Sequence, residues 1–316
     1  MKWVIKASAQ KFFSFFPFGF KVNQLFKGLR RTESSEADPY KIRNMLIILE
    51  SIVKHFGKDN YIDRTILEIG SGWSVELPSL AWAYGFRNFI LSDVAPLRRD
   101  DTVQSKLSSI SKAIDTIPSW FGYDQKLVYQ IYYDHRIRHR LDELSSLTTH
   151  QDFMNYTKYH YHYPIDFTVL DKVFDANSID AVISNNTLEH IRPCSLYTGF
   201  NALNTILTRK GISLHIIDHN DHFEYVDTSI TRLNMHTFTP FMWTCITSEF
   251  NYTNRFTVRD YAILLDGIHP HMQYELYPID FIPNNVLDTY IKKHPRLADK
   301  KSDLSVSLSM LSIKKS

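Results

Sequence analysis

The stretch Thr65-Ile66-Leu67-Glu68-Ile69-Gly70-Ser71-Gly72 decides how this chain folds. Its first five residues form a short apolar run, which is typical of a strand buried in a parallel sheet. The two glycines indicate a tight turn at which the backbone can approach a ligand, and a following helix offers free N–H groups there. The stretch therefore predicts a strand, a ligand-binding turn and then a helix that ends at Gly85.

An acidic residue, Asp93, follows the next short apolar run, Phe89-Ile90-Leu91. An acid at the end of the second strand of such a unit is placed to bind both hydroxyls of a ribose. A dinucleotide-binding turn would carry a third glycine at position 75, where this chain has Val75. Glu68, just before the glycines, suits a cationic or amine-bearing ligand better than a pyrophosphate. The pattern predicts a nucleoside ligand and disfavours an NAD-dependent oxidoreductase.

Strand and helix patterns alternate on both sides of this unit, which implies a parallel sheet with right-handed crossovers. The alternation pauses between about residues 97 and 158, and we interpret that segment as an insertion. The other predicted elements are a helix over residues 42–56 that ends at Gly57, strands near Tyr161–Phe167, at Ile179–Ser184 and at Ile212–Ile217, a helix from about Ser195 to Leu207, a helix between Thr257 and Gly267, and strands over residues 272–280 and 303–313.

The chain of 316 residues is long enough for one large α/β domain. We predict a single domain over residues 39–316, preceded by an aromatic-rich segment over residues 1–31. Two interpretations of that segment stay open, packing on the domain or over its active site, and peripheral contact with a membrane. Pro17 and Gly19 interrupt the segment, so a spanning helix or a signal peptide is not expected. Its phenylalanines are Phe12, Phe13, Phe15, Phe16, Phe18 and Phe20, and its lysines include Lys2, Lys6, Lys11 and Lys21.

The balance of basic and acidic residues indicates whether a nucleic acid is an expected partner. Thirty-six Lys and Arg residues face 34 Asp and Glu residues, which gives a net charge of +2 and no long basic run. A nucleic-acid partner is therefore not expected. Only two cysteines, Cys194 and Cys245, are present, so no disulfide framework is expected and a reducing, cytoplasmic location fits.

The motif Leu67–Gly72 resembles motif I, E-x-G-x-G, of the class I methyltransferases that depend on S-adenosylmethionine (SAM). The run Asp180–Ile191 is similar to the family's fourth-strand motif, a D-x-V-x-S-N run that closes in L-E-H, and Lys210-Gly211 resembles the turn before its fifth strand. Together these matches cover about residues 60–220. The resemblance implies a Rossmann-like, doubly wound, mostly parallel seven-stranded sheet with an antiparallel C-terminal strand, and SAM as the cofactor.

The resemblance also implies which residues bind SAM. It places the glycine turn and Glu68 beside the methionine part, Asp93 on the ribose, and the end of strand four under the sulfonium. Asp166 lies where the family often has an acid against the adenine amine, although the local Tyr-Pro-Ile-Asp context is not the commonest form. The implied cofactor-binding residues are Glu68, Gly70, Ser71, Gly72, Asp93, Asp166, Asn185 and Asn186.

A second polar cluster, Asp218-His219-Asn220-Asp221-His222-Phe223, follows the predicted fifth strand and should face the acceptor. It resembles an Asp-x-x-Asp-His-Phe ending of some bacterial methyltransferases that neighbour glycan-assembly genes. His222 is the candidate base, oriented by Asp221 or Asp218, and His190 is the next candidate. The alternatives are that Asp218 and His222 hold a divalent ion, or that the cluster is a polar loop. No metal ligand is assigned beyond that alternative.

These features predict a SAM-dependent O-methyltransferase that acts on a small or glycan-like hydroxyl acceptor. An amine or a lipid-linked molecule is the alternative acceptor. A SAM-binding scaffold protein without catalysis is the alternative from a different functional class.

Overall fold

The computed structural model describes residues 2–19, 36–72, 74–96, 100–117, 134–268 and 272–315. The strands in these residues are β1 (Thr65–Ile69), β2 (Asn88–Ser92), β3 (His160–His162), β4 (Ile179–Asn185), β5 (Leu207–Asp218), β6 (Met272–Phe281) and β7 (Val306–Lys315). They form one seven-stranded sheet in the order β3-β2-β1-β4-β5-β7-β6. The pairings from β3 to β5 are parallel, and β7 runs antiparallel to both β5 and β6. The predicted fold is confirmed.

Helices of the described residues cover both faces of the sheet, and others pack in smaller clusters beside it. The helices are α1 (Lys2–Phe13), α2 (Pro39–Phe56), α3 (Glu76–Tyr84), α4 (Val103–Thr116), α5 (His135–Leu144), α6 (His150–Thr157), α7 (Leu170–Val173), α8 (Pro193–Ile206), α9 (Pro240–Ile246), α10 (Val258–Asp266), α11 (Asn284–Lys293) and α12 (Lys301–Leu304). The predicted helix ends at Gly57 and Gly85 are confirmed, and Gly85 is left-handed with φ 98°. Thr257 and Asp260 form a capping box at the start of α10.

The sheet is buried on both faces, because alternate side chains of its central strands enter two different hydrophobic clusters. Ile66 of β1 and Ile183 of β4 pack in one cluster with α2 to α6. Leu67 of β1 and Val182 of β4 pack in the other cluster with α7, α8 and α10. This arrangement explains why these strands are continuously apolar in sequence.

The position of β1 determines where a ligand can bind. The chain passes from β1 to β2 and β3 on one side, and β4 and β5 lie on the other side. The carboxyl end of β1 is therefore a topological switch point, where open α/β sheets leave a crevice for ligands. The glycine turn begins at that end of the strand, directly after Ile69.

Three strands differ from the prediction at their ends. β7 begins at Val306 rather than at residue 303, because residues 303 and 304 belong to the helix Lys301–Leu304. β3 ends at His162 rather than near Phe167, because Pro164 offers no N–H for a further ladder and Asp166 caps the 3-10 helix Phe167–Val169. β5 begins at Leu207, five residues before the predicted start, and its register with β4 shifts between Ile179 and Ala181. An irregular register of this kind is not visible in the hydrophobic pattern.

The predicted insertion contributes α4, α5 and α6, which lie between β2 and β3 and share the core cluster of α2 and α3. Residues 97–99 and 118–133 of that segment lie outside the described residues. The same holds for residues 20–35, which include Phe20 and Lys21 of the aromatic-rich segment.

The N-terminal helix α1 packs on the segment that follows β5. The Trp3 ring lies 5.4 Å from the Phe223 ring, and Ala7 is buried in a small cluster with Phe223 and Trp243. Lys11 donates from Nζ to the carbonyls of Thr244 and Thr247 at 3.1 and 2.8 Å. None of the helices in the described ranges has the length and apolar character needed to cross a membrane.

Candidate active site

The glycine turn after β1 has a backbone that favours glycine at two positions. Gly70 and Gly72 have φ values of 65° and 61°, in the left-handed region. A Cβ on Gly70 would lie 2.3 Å from Cγ2 of Thr187, so the loop after β4 presses against the turn. A Cβ on Gly72 would meet no described atom within 4 Å. The turn is therefore packed against the loop after β4 at Gly70. At Gly72 no described atom blocks the approach of a ligand.

Asp93, directly after β2, binds the glycine turn through its carboxylate. Its Oδ2 accepts from the Gly72 N–H at 2.8 Å, and its Oδ1 accepts from the Ala95 N–H at 3.2 Å. The Ser71 N–H donates to the Ser92 carbonyl at 3.0 Å and so joins the two loops. Burial raises the pKa of Asp93, although the backbone hydrogen bonds oppose the shift. A carboxylate has about four acceptor positions, so this one can still accept from ligand hydroxyls.

Glu68 extends from β1 beneath the turn and is 5% exposed. Its Oε2 has no hydrogen-bond partner in the described part of the chain. Burial, followed by the charges of Asp93 and Glu76, raises the pKa of Glu68 to about 8. Glu76 itself is paired with Lys106, with 2.5 Å between Oε1 and Nζ, so that lysine is already engaged. A buried carboxyl group of this kind favours a cationic ligand.

The end of β4 adds two amide side chains to the same edge. Asn185 is the last residue of β4, and Asn186 follows with a left-handed φ of 55°. The Asn186 N–H donates to the Ile216 carbonyl of β5 at 3.0 Å, which holds the turn against the neighbouring strand. The Oδ1 atoms of both asparagines are buried and lack a partner among the described atoms. Unpaired buried polar atoms are rare in folded proteins, so these two oxygens are available as acceptors to a ligand or to water.

Asp166 lies near Asp93, but its carboxylate is already used. The Ile165 N–H donates to the Asp93 carbonyl at 2.8 Å, which brings the two loops together. Oδ1 of Asp166 accepts from the backbone N–H and the hydroxyl of Thr168 at 2.8 and 2.6 Å. Asp166 caps a 3-10 helix in this structure, and its contact with an adenine stays a prediction.

The cluster after β5 separates into two groups. Oδ2 of Asp218 lies 3.3 Å from Nε2 of His222 and accepts from the Tyr225 hydroxyl at 2.9 Å. Burial alone would raise the pKa of Asp218, but the contacts with His222, Asn220 and Tyr225 outweigh it and lower the pKa. Asp221 instead accepts from the Phe223 N–H and from Asn234 at 2.8 and 2.9 Å. Asp218 is therefore the acid beside His222, and Asp221 fixes the turn.

His190 and Glu189 come to the same place from the loop after β4. The rings of His190 and His222 lie 4.9 Å apart at 65°. Nδ1 of His190 donates to the Tyr252 carbonyl at 2.8 Å. Glu189 is 3% exposed, and burial, followed by the charge of Asp218, raises its pKa well above the ordinary range. The sequence analysis did not assign Glu189 to the site, although its place in the Leu-Glu-His run next to His190 was a signal for it.

The site thus has two halves at one edge of the sheet. One half follows β1 and β2 and contains Glu68, the glycine turn and Asp93. The other half follows β4 and β5 and contains Asp218, His222 and the histidine of the β4 loop. Because β1 and β4 are neighbours in the sheet, the loop after β4 borders both halves.

No family model and no curated protein matches the sequence. Several solved structures are similar in fold. The plantazolicin methyltransferase BpumL in complex with SAH is 12% identical, with a TM-score of 0.47, over 99% of this chain and 96% of that chain. A SAM-dependent methyltransferase from Archaeoglobus fulgidus is 11% identical, with a TM-score of 0.40, over 85% and 94% of the two chains. The CurJ carbon methyltransferase is 14% identical, with a TM-score of 0.40, over 80% of this chain and 49% of that one, so this chain spans about half its length. These likenesses concern the fold alone.

Proposed function

We propose that this protein is a SAM-dependent O-methyltransferase that acts in the cytoplasm on a small or glycan-like hydroxyl acceptor. The observation that carries the proposal is the buried carboxyl group of Glu68, whose Oε2 has no partner among the described residues, beside Asp93 and the glycine turn. SAM combines a ribose with a cationic methionine part, so it offers a partner for both acids. A nucleotide with a pyrophosphate in place of the cation would meet Glu68 with the wrong charge.

SAM, when bound, supplies a methyl group on a sulfonium, and its transfer to an oxygen is an in-line displacement. The task of the protein is to hold donor and acceptor in line, which is worth roughly 7–11 kcal/mol. In this proposal Asp93 accepts from the ribose hydroxyls and Glu68 lies beside the cationic part. The amide oxygens of Asn185 and Asn186, which have no partner among the described atoms, would accept hydrogen bonds from the cofactor.

The acceptor must lose a proton as its oxygen is methylated, and His222 is the group placed to assist. A positioned base typically contributes a factor of about 10²–10⁴. Asp218 beside His222 would stabilise the imidazolium if the ring takes the proton. The other route is a divalent ion near His222 that lowers the pKa of the acceptor hydroxyl directly. Both routes predict that His222 matters for turnover and little for SAM affinity.

The experiment is a pair of measurements on the purified full-length protein. Calorimetry compares the affinities of SAM, S-adenosylhomocysteine and NAD. Incubation with SAM and a cell extract then tests for release of S-adenosylhomocysteine, with Asp93→Ala as the variant that should lose binding. Tighter binding of NAD than of SAM contradicts the cofactor assignment. SAM binding without release of S-adenosylhomocysteine favours the non-catalytic scaffold, and analysis of the methylated product separates hydroxyl from amine or lipid-linked acceptors.

The N-terminal segment supports an extension of the proposal to peripheral membrane contact. Trp3 and Ala7 face the domain, whereas Phe12, Phe15 and Phe18 are 58%, 74% and 52% exposed. Exposed aromatic rings beside a polar surface are typical of interfacial contacts. Lys11 is bonded to carbonyls of the domain, so it supports docking of α1 rather than contact with headgroups.

Flotation with anionic lipid vesicles tests this contact. The double variant Phe15→Ser/Phe18→Ser should float less than the wild type, because it removes two exposed rings from the surface. Tyr197→Ser, which changes an aromatic residue that is 46% exposed on α8, is the control. Equal flotation of all three proteins, or none, contradicts membrane contact and leaves docking on the domain as the role of α1.

A further inference from the structure

Three side chains in the acceptor half of the site form a potential metal-binding cluster. Glu189 and His190 belong to the 3-10 helix Leu188–His190 after β4, and His222 follows β5. One ligand atom from each of the three lies within 4.8 Å of those of the other two. The spacing from His190 to His222 in sequence is long, so the cluster exists only because β4 and β5 are neighbours in the sheet.

The carboxyl group of Glu189 lacks a partner among the residues that the structure describes. Both of its oxygens are buried, and neither has a hydrogen-bond partner within the described ranges. The backbone around it is well held, because the Asn254 N–H donates to the Glu189 carbonyl at 2.8 Å and Nδ2 of Asn254 donates to the Leu188 and Ile191 carbonyls. A buried carboxyl group on a held loop stays protonated unless a cation or a hydrogen-bond donor stabilises its charged form, so it favours a cationic ligand.

Both histidines have a polar neighbour, and the neighbour of His190 orients its ring through a hydrogen bond, as is common for the histidines of metal sites. Nδ1 of His190 donates to the Tyr252 carbonyl, which fixes the tautomer whose other nitrogen carries a lone pair. Asp218 lies 3.3 Å from Nε2 of His222 and is itself held by Tyr225 and Asn220. Glu189 is buried, His222 is partly buried and His190 is exposed. A bound ion would therefore be accessible from solvent on the side of His190.

We propose that Glu189, His190 and His222 bind a divalent transition-metal ion. Two imidazoles and one carboxylate favour Zn²⁺, Co²⁺ or a similar ion over Mg²⁺ and Ca²⁺, which prefer sites made of oxygen ligands. Three protein ligands leave at least one coordination position for an exchangeable oxygen, as in catalytic rather than structural zinc sites. The ligand set differs from the pair of Asp218 and His222 considered from the sequence, because Asp218 here orients a ligand.

The role of the ion in the reaction rests on the proposed function, whereas the metal site itself does not. At the open position the ion would take the acceptor hydroxyl and lower its pKa. The hydroxyl proton then goes to solvent, the oxygen forms its bond to the methyl carbon, and the bond from that carbon to sulfur breaks and leaves a neutral thioether. His222 is a metal ligand in this scheme rather than the base.

The test is metal binding by the full-length protein after treatment with a chelator and dialysis. Calorimetric titration with Zn²⁺ and with Co²⁺ should show one ion per chain. His222→Ala and Glu189→Gln should each weaken that binding by at least about tenfold, since even loss of an orienting neighbour typically costs a factor of about 10–100. His190→Ala should do the same, and because His190 is exposed this variant should fold even if Glu189→Gln does not.

The control is His139→Ala, which removes a histidine from a pair with Glu143 at 2.9 Å on α5 and should leave binding unchanged. Failure of the wild type to bind either ion, or equal binding by His190→Ala and the wild type, overturns the metal site. Turnover that survives the chelator in full overturns its role in the reaction and leaves the methyltransferase proposal standing. Metal binding without SAM binding supports the metal site and contradicts the methyltransferase proposal.

Discussion

The raised pKa of Glu68 predicts that SAM affinity depends steeply on pH. In the ligand-free protein the pKa of this carboxyl group is raised from 4.5 to about 8, by burial and then by the charges of Asp93 and Glu76. Glu68 is therefore largely protonated at pH 6. A cationic ligand binds best to the carboxylate form, so binding must displace the proton whenever the pH lies below the pKa.

The size of the effect follows from that pKa. Between pH 7.5 and pH 6.0, the fraction of the protein with ionised Glu68 falls by a factor of about 25 for a pKa of 8, which corresponds to about 1.9 kcal/mol of binding free energy. The apparent Kd of SAM should rise by that factor as the pH falls. Close to one proton should be released per SAM bound at pH 6, as the linkage relation requires.

The raised pKa of Glu68 also affects the free energy of unfolding of the ligand-free protein. SAM affinity should increase with pH, whereas this contribution to stability should decrease. The folded-state pKa of Glu68 lies above its unfolded value, so its contribution to stability is fully present below about pH 4.5 and is lost as the pH rises to about 8. The free energy of unfolding should therefore fall over that range from this group. Bound SAM should oppose the loss, because it stabilises the carboxylate.

Calorimetry from pH 6.0 to 7.5 measures both the affinity and the proton release, if each pH is repeated in two buffers with different ionisation enthalpies. This range stays below about pH 7.7–8.0, where α-amino groups titrate. Glu68→Gln should bind SAM more weakly at pH 7.5 and should lose most of the pH dependence. Glu249→Gln, which changes an exposed glutamate in the turn after α9, should keep it. A wild-type Kd that stays constant over this range would falsify the argument, and so would the same slope in Glu68→Gln.

Three further predictions concern the two halves of the site. Asp93→Ala should weaken SAM by roughly 1.5–3 kcal/mol in calorimetry, because the ribose hydroxyls lose a charged acceptor; an unchanged Kd contradicts its role. His222→Ala should reduce turnover at saturating SAM while the SAM Kd stays nearly constant, and full activity would place acceptor activation elsewhere. A truncation that begins at residue 32 should keep SAM binding but reduce turnover with acceptor, because it removes the contact of Trp3 with Phe223; loss of folding would place α1 in the core.

The cofactor half of the site could be predicted from the sequence because its signals are local. The glycine turn, the strand that precedes it and Asp93 lie within about 30 residues, and each reflects a backbone requirement that few residue types satisfy. The φ values of Gly70 and Gly72 and the bond from Gly72 to Asp93 agree with that interpretation. The pairing of Glu76 with Lys106 had no such signal, because it depends on how α3 and α4 pack.

The acceptor half was harder to predict because its geometry depends on contacts between distant segments. The sequence leaves both Asp218 and Asp221 as possible partners of His222, and only the fold shows that Asn234 binds Asp221 and that Tyr225 binds Asp218. Glu189 joins the cluster through the pairing of β4 with β5, which no short motif encodes. The end of β3 was missed for a related reason, since a cap formed by Asp166 competes with strand extension.

Two buried carboxyl groups, Glu68 in the cofactor half of the site and Glu189 in the acceptor half, have oxygen atoms without a hydrogen-bond partner among the described residues. Leaving a carboxyl group buried without a partner destabilises the fold, so each such group indicates that a ligand supplies what the chain lacks. The cationic part of SAM can serve Glu68, but a neutral hydroxyl acceptor brings no charge to Glu189. With an oxygen acceptor, a metal ion held by Glu189 and the two histidines would supply that charge, whereas without an ion Glu189 stays protonated and His222 is the base. An amine acceptor would itself bring the charge, so a protein whose turnover needs the ion is expected to methylate oxygen rather than nitrogen.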